Sequence, residues 1–328
     1  GDIMDYQIIS TLPAITSAAS YLTTYTFADT LSEGITYRKN DLLIEWYKDK
    51  ACTEKITAWE ETSGKFTVAY EENTMTVTMT ETGLAEINPV YSGCTMRITY
   101  AAVVNSNDTV VCGDTGNPNE VVLTWKRTNT NYYDTLKGDC HVYTYAIDLT
   151  KKFADNNGDF SKVSFVIQND TDGYFVQAKL IGDVYYATGH VTDEADATVF
   201  VPIDNGKVIV KGLEDDTYSI TETATDNGYR LLKEAIQVVI TAEESDEICP
   251  VCLEKTLTAS ATVDGTSVSM TADGASASAV VPLTVINHRK TLIPGTGEAG
   301  NWLITIGGIV LAAVSFMVLL YTRKQKQN

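Results

Sequence analysis

Positive charge is scarce in this 328-residue chain: 24 Lys and Arg stand against 43 Asp and Glu, giving a formal net charge of −19. It lacks the basic footprint of a nucleic-acid binder, and no nucleic-acid partner is expected. Histidine is scarcer still. His141, His190 and His288 are scattered along the chain, which argues against a His-based metal centre or hydrolase. No nucleophile–base constellation assembles, so no enzymatic activity is expected, and neither a cofactor nor a metal is implied. A long amphipathic helix is also missing; "ETGLAEI" offers one short turn. The chain opens at Gly1 with neither Met nor a signal peptide, and so reads as a mature chain or a fragment. Six cysteines, at 52, 94, 112, 140, 249 and 252, leave their pairing undetermined. Cys249-Pro-Val-Cys252 has the spacing of a redox or zinc half-site. Without a second pair or a nearby His it reads as a loop disulfide or a plain thiol pair.

What is present is strand chemistry. Tyr, Thr and Val are plentiful, as in β-rich proteins. "DYQIIS" and "FTVAYEENTMTVTMTET" alternate apolar and polar residues at the period of two that a half-buried strand requires, and "SEGITY" and "GDTGNPNEVVLTW" place Gly, Asn and Pro at bends. The polar stretch near 128–140 reads as a boundary, after which alternation resumes in "HVYTYAIDLTKKF", "KVSFVIQND", "KVIVKGL", "TYSITETA", "IQVVIT" and "VVPLTVIN". The Ser/Thr/Ala/Gly-rich segment "TLTASATVDGTSVSMTADGASASAV" contains two Asp-Gly pairs and is expected to form an extra hairpin. The expected fold is all-β: two immunoglobulin-like β-sandwich domains, at residues 1–130 and 138–290, followed by a C-terminal segment at 291–328.

That segment has three parts. Trp302 to Tyr321 is free of charge, and twenty residues at about 1.5 Å rise match the roughly 30 Å hydrocarbon core of a bilayer. Arg323, Lys324 and Lys326 follow in the tail 322–328, which the positive-inside tendency keeps in the cytoplasm, so everything before the helix is expected outside. Ahead of the helix stands Ile293-Pro294-Gly295-Thr296-Gly297. Together the three parts resemble a cell-wall sorting signal, the substrate of sortase transpeptidases in Gram-positive bacteria, with Ile in place of the usual Leu. The resemblance implies cleavage after Thr296 by a sortase cysteine. Pro294 keeps the peptide extended, Gly297 leaves the scissile bond uncrowded, and the helix is a temporary membrane retention device.

Two further stretches carry resemblances. "YSITETATDNGY" (Tyr218 to Tyr229) resembles the Tyr-x-x-x-Glu box of the B-type repeats of collagen adhesins and of Gram-positive pilins, with Asp226 where Pro is common. "DLTKKF" matches the family's first-strand Lys at Lys151, with Lys152 adjacent, and "LTVINHRKTLIPGTG" places Asn287 at the family's last-strand Asn. In this family Lys and Asn side chains join in an intramolecular isopeptide bond with Glu as proton shuttle, so the resemblance implies Lys151, Asn287 and Glu222. Burial would lower the lysine pKa and supply the neutral amine that attacks the carboxamide. The N-terminal region resembles the fimbrial isopeptide-forming domain of the same pilins through "GDIMDYQIISTLP", "FADTLSEGITY", "MRITYAAVV" and "GNPNEVVLTW". There the resemblance implies Asn117 or Asn119 as acceptor and Asp29 as the acid. The partner Lys of that family lies several residues before Gly-Asp, and the sequence starts at Gly1.

The resemblances imply a structural cell-surface pilin subunit of a Gram-positive bacterium, anchored to the cell wall. Its partners would be a sortase, and peptidoglycan or the next subunit; membrane contact would run only through the C-terminal helix before sorting. The alternative is a monomeric wall-anchored adhesin that binds a host or matrix ligand. A pilin is expected to carry an exposed Lys in a Tyr-Pro-Lys-type motif, and this sequence contains none.

Overall fold

Successive side chains of a strand face opposite ways, so apolar residues at every second position give one dry face and one wet face. The computed structural model describes residues 1–14, 21–203, 205–248 and 255–290, and these are nearly all β-structure. The apolar run and the motif at 293–297, together with Cys249 and Cys252, lie outside the described residues.

The first part comprises β1 (Ile3–Thr11), β2 (Leu22–Leu31), β3 (Ile35–Tyr47), β4 (Lys55–Glu60), β5 (Phe66–Glu71), β6 (Thr74–Met79), helix α1 (Glu81–Val90), β7 (Thr95–Val104), β8 (Asn117–Arg127) and β9 (Asp134–Val142). These form a four-stranded sheet, β1-β7-β3-β4, and a five-stranded sheet, β5-β6-β2-β8-β9. Both sheets feed one core that includes Phe27, Ile44, Trp46, Trp59, Met75 and Ile98. The "ETGLAEI" turn extends to a ten-residue helix. Thr80 caps it by accepting from the Gly83 amide at 3.2 Å, and Leu84 and Ile87 anchor it to the core.

The polar stretch 128–140 is not simply a connector. β9 pairs with β8 from Asn117↔Val142 to Trp125↔Asp134, so the five-stranded sheet of the first part runs on to Val142. β9 ends its sheet, and an edge strand has less need of the apolar alternation that would have marked it in the sequence.

The second part comprises β10 (Tyr145–Phe153), β11 (Ser164–Asn169), β12 (Tyr174–Ile181), β13 (Val184–Val191), β14 (Lys207–Leu213), β15 (Thr217–Ala224), β16 (Ile236–Ile248), β17 (Lys255–Val263), β18 (Thr266–Val268), β19 (Thr271–Asp273) and β20 (Ser276–Asn287). They form one eleven-stranded sheet in the order β18-β17-β16-β15-β11-β12-β13-β14-β10-β20-β19. Strands from both halves of that order share a single core, among them Ile147, Phe165, Val210, Ile220, Ile240 and Val281, so the sheet folds around it. The segment after Lys255 forms the expected hairpin, with β17 and β18 joined at Asp264 and Gly265 (φ 48° and 73°), both left-handed as the tightest hairpin turns demand. The first and last strands of this part lie side by side: β10 and β20 pair in parallel from Ala146↔Val280 to Phe153↔Asn287.

The two parts touch through the loop before β8. Cys112 packs with Ala146, Ala279 and Val280. The Thr115 and Ser276 hydroxyls lie 2.6 Å apart, and the Ala277 amide donates to Asp114 at 2.8 Å. Gly113 has φ +93°, and a Cβ there would sit 2.7 Å from those of Ser276 and Ala279, so the approach requires glycine.

Candidate functional site

Alternation delivers three polar side chains into the second core. Along β10 the inward residues are Tyr145, Ile147, Leu149, Lys151 and Phe153; along β20 they are Val281, Leu283, Val285 and Asn287; along β15 they are Tyr218, Ile220 and Glu222. Lys151, Glu222 and Asn287 are thus in phase with the apolar stripes, at 0%, 3% and 1% exposure, whereas Lys152 points outward and is exposed. Lys151 pairs with Val285 in the parallel ladder and Asn287 with Phe153, so the two side chains stand one pleat apart on one face.

Glu222 sits between them. Its Oε1 lies 3.7 Å from Lys151 Nζ, and its two oxygens accept from Asn287 Nδ2 at 2.8 and 3.0 Å. The Leu232 amide steadies it by donating to Oε2 at 2.9 Å. Lys151 Nζ also donates to the Lys152 carbonyl at 2.9 Å and lies 4.7 Å from the centre of the Phe153 ring. Burial pulls the Lys151 amine down to about 8, with the Glu222 carboxylate pulling the other way. Asn287 Oδ1 is buried with no partner among the described residues.

A second polar group lies in the first core. Asp29, fully buried on β2, accepts at Oδ2 from Tyr37 at 2.7 Å and from Tyr100 at 2.8 Å. Asn119 Nδ2 in turn donates to the Tyr100 hydroxyl at 2.8 Å. Burial pushes the Asp29 carboxyl up, and its hydrogen bonds to Tyr37 and Tyr100 only partly oppose that. Asp29 Oδ1, Asn119 Oδ1 and the Tyr6 hydroxyl are buried without partners among the described residues. Tyr6 stacks on Tyr100 at 5.3 Å.

Asn117 is differently placed. Its Oδ1 accepts from the Val111 amide at 3.0 Å, and its Nδ2 donates to the carbonyls of Val111 at 2.8 Å and Val142 at 3.1 Å. Of the two asparagines, only Asn119 sits beside Asp29. Tyr37 and Tyr100 escaped the sequence reading, although the triplet Ile-Thr-Tyr occurs twice, at 35–37 and 98–100, each time ending on one of them.

Carboxylates also gather where the two parts meet: Asp172, Glu214 and Asp216 bring one oxygen each within 4.8 Å of one another. Burial, with Asp2 and Asp216 alongside, pushes Glu214 up to about 7.

Residues 146–249 match the family model of the SpaA prealbumin-like fold domain. Along 99% of its length the chain is 24% identical to the trypsin-resistant surface T6 protein of Streptococcus pyogenes serotype M6, of which it spans 65%. Among solved structures, the pilus 2b backbone protein of group B streptococcus superposes with a TM-score of 0.58 at 20% identity, covering 90% of this chain and 96% of that one. The major pilin SpaD of Corynebacterium diphtheriae gives 0.55 at 16% identity, covering 88% and 62%. At these identities the superpositions speak for the fold. With the matched model beside them, residues 146–249 are similar to the SpaA prealbumin-like fold domain, and the chain shares its fold with these pilus backbone structures.

Proposed function

We propose that the chain is a structural subunit of a Gram-positive pilus, exported and joined covalently to its neighbours or to the cell wall. In this reading it has two β-sandwich domains meeting after Val142, and the second is locked by an isopeptide bond between Lys151 and Asn287. One observation carries the cross-link: a buried amine, a buried carboxyl and a buried carboxamide converge where the first and last strands of one core run side by side.

The chemistry follows from the positions. Neutral Lys151 attacks Cγ of Asn287, Glu222 takes a proton from Nζ and gives it to Nδ2, and the C–N bond breaks to release ammonia. Each molecule performs this once upon itself, so the chain is not an enzyme. In the first domain Asn119, with its unpartnered Oδ1, is the better acceptor and Asp29 the acid. A lysine ammonium is the donor that this group of orphaned oxygens suits. Residues 293–297 act as the sorting motif, with Thr296 as the acyl donor to a sortase.

Intact mass spectrometry under reducing conditions is the test. The second-domain bond removes one ammonia, about 17 Da, from the sequence mass. Lys151→Ala, Asn287→Ala and Glu222→Ala should each restore that mass. An unmutated chain of full sequence mass would overturn the cross-link. Material released from cell walls should end at Thr296, and recovery of the apolar run on wall-linked protein would sink the sorting assignment.

A further inference from the structure

Asn287 makes one contact that the triad of amine, carboxyl and carboxamide does not require. Besides its bonds to Glu222, its Nδ2 donates to Thr225 Oγ1 at 2.6 Å, shorter than either. A carboxamide nitrogen has two hydrogens, and here one is met by the carboxyl and the other by the hydroxyl oxygen. The opposite orientation would turn the carbonyl towards Glu222 and, when that group is ionised, set acceptor against acceptor. Glu222 and Thr225 therefore hold the leaving nitrogen from two sides and leave Oδ1 without a partner. Thr225 differs from the rest of the group in one respect. Lys151, Glu222 and Asn287 are buried, whereas Thr225 is half-buried and so stands between the reacting atoms and solvent.

We propose that Thr225 orients the Asn287 carboxamide for attack and marks the path by which ammonia leaves. This rests on the isopeptide reading above. In the step itself the Nζ–Cγ bond forms, the Cγ–Nδ2 bond breaks, and one proton moves from Nζ through Glu222 to Nδ2. The departing nitrogen ends with three hydrogens, and Thr225 Oγ1 accepts one of them on the solvent side. Nothing else is consumed, and NH₃ is the only product released.

The experiment follows the rate of cross-linking in the full chain. Protein made in a short cell-free pulse is quenched at intervals, and the fraction lighter by about 17 Da is read by intact mass. Thr225→Val keeps the shape and removes the acceptor; it should slow the appearance of the lighter species about tenfold, the effect of one hydrogen bond lost at the reacting nitrogen. Thr225→Ser restores the acceptor and should recover the unmutated rate. In a Lys151→Ala background, where no bond forms, Thr225→Val should leave the chain folded and lower the melting temperature by no more than one lost hydrogen bond does, which separates a rate effect from a folding defect. Should the valine variant misfold, Thr225→Ala serves in its place.

A normal rate in the valine variant, or an equally slow serine variant, overturns the role given to Thr225 while leaving the cross-link standing. Absence of the lighter species from the unmutated chain overturns the cross-link reading itself.

Discussion

Lys151 occupies a place that alternation reserves for an apolar side chain, between Leu149 and Phe153 on the inward face of β10. A lysine there costs stability as a cation and little as a neutral amine. The consequence can be measured in Asn287→Ala, where the amine stays free. Its folded-state value is depressed from 10.5 to about 8, so between those limits the unfolded chain holds the proton more tightly than the folded one. Stability should then rise with pH from about 8 to 10.5 and be flat below, with a total change of about 3 kcal/mol. Urea titrations of Asn287→Ala with and without Lys151→Met would show it; equal slopes in the two proteins would refute a buried free amine. The same depression would leave enough neutral amine near neutrality for the proposed cross-linking, and that reaction should slow about tenfold for each pH unit below 8.

At the scale of elements, β8 carries two asparagines two residues apart on one face, with opposite expected behaviour. Asn117 ties the loop before β8 to the end of β9 through three hydrogen bonds, and Gly34 leaves room for it: a Cβ there would lie 2.1 Å from Asn117 Oδ1. Asn117→Ala strands three backbone groups and should cost about 3 kcal/mol, at about 1 kcal/mol per bond. Asn119→Ala removes one bond, to Tyr100, together with an oxygen that had no partner, and should cost about 1 kcal/mol or less. Chemical denaturation of the two variants checks the order; a costlier Asn119→Ala would mean that its carboxamide is structural.

The sequence disclosed these elements unevenly. The period of two marked β10, β15 and β20, and a strict reading of its phase also turns Lys151, Glu222 and Asn287 inward. The Asp-Gly turn declared the β17–β18 hairpin. The pairing of β9 with β8, the parallel contact of β10 with β20 and the Tyr37–Asp29–Tyr100 network join residues with no local signature, because partners distant in sequence are chosen by packing. Thr225 was unreadable for the same reason: its partner lies 62 residues away.

For the whole molecule the decisive feature is where tension enters. In the proposed role the chain would be pulled along its length, and force would reach the second core through β10 at one end and β20 at the other. These strands are neighbours and run parallel, so their ends are sheared along a full ladder of hydrogen bonds instead of being unzipped one bond at a time. The proposed covalent bond between Lys151 and Asn287 would lie across that ladder, near the end at which β20 leaves the core. It would make the chain between them a closed loop that tension cannot open, and it would limit the unfolded ensemble as a disulfide does. From 151 to 287 is 136 residue steps, which at 3.3–3.6 Å each would release about 450–490 Å on full extension. Single-molecule stretching of the unmutated protein should lack this increment at every force that leaves covalent bonds intact, and Lys151→Ala should regain it as a discrete event. A full increment from the unmutated chain would show that hydrogen bonds and packing alone carry the load, and that the second core is not locked.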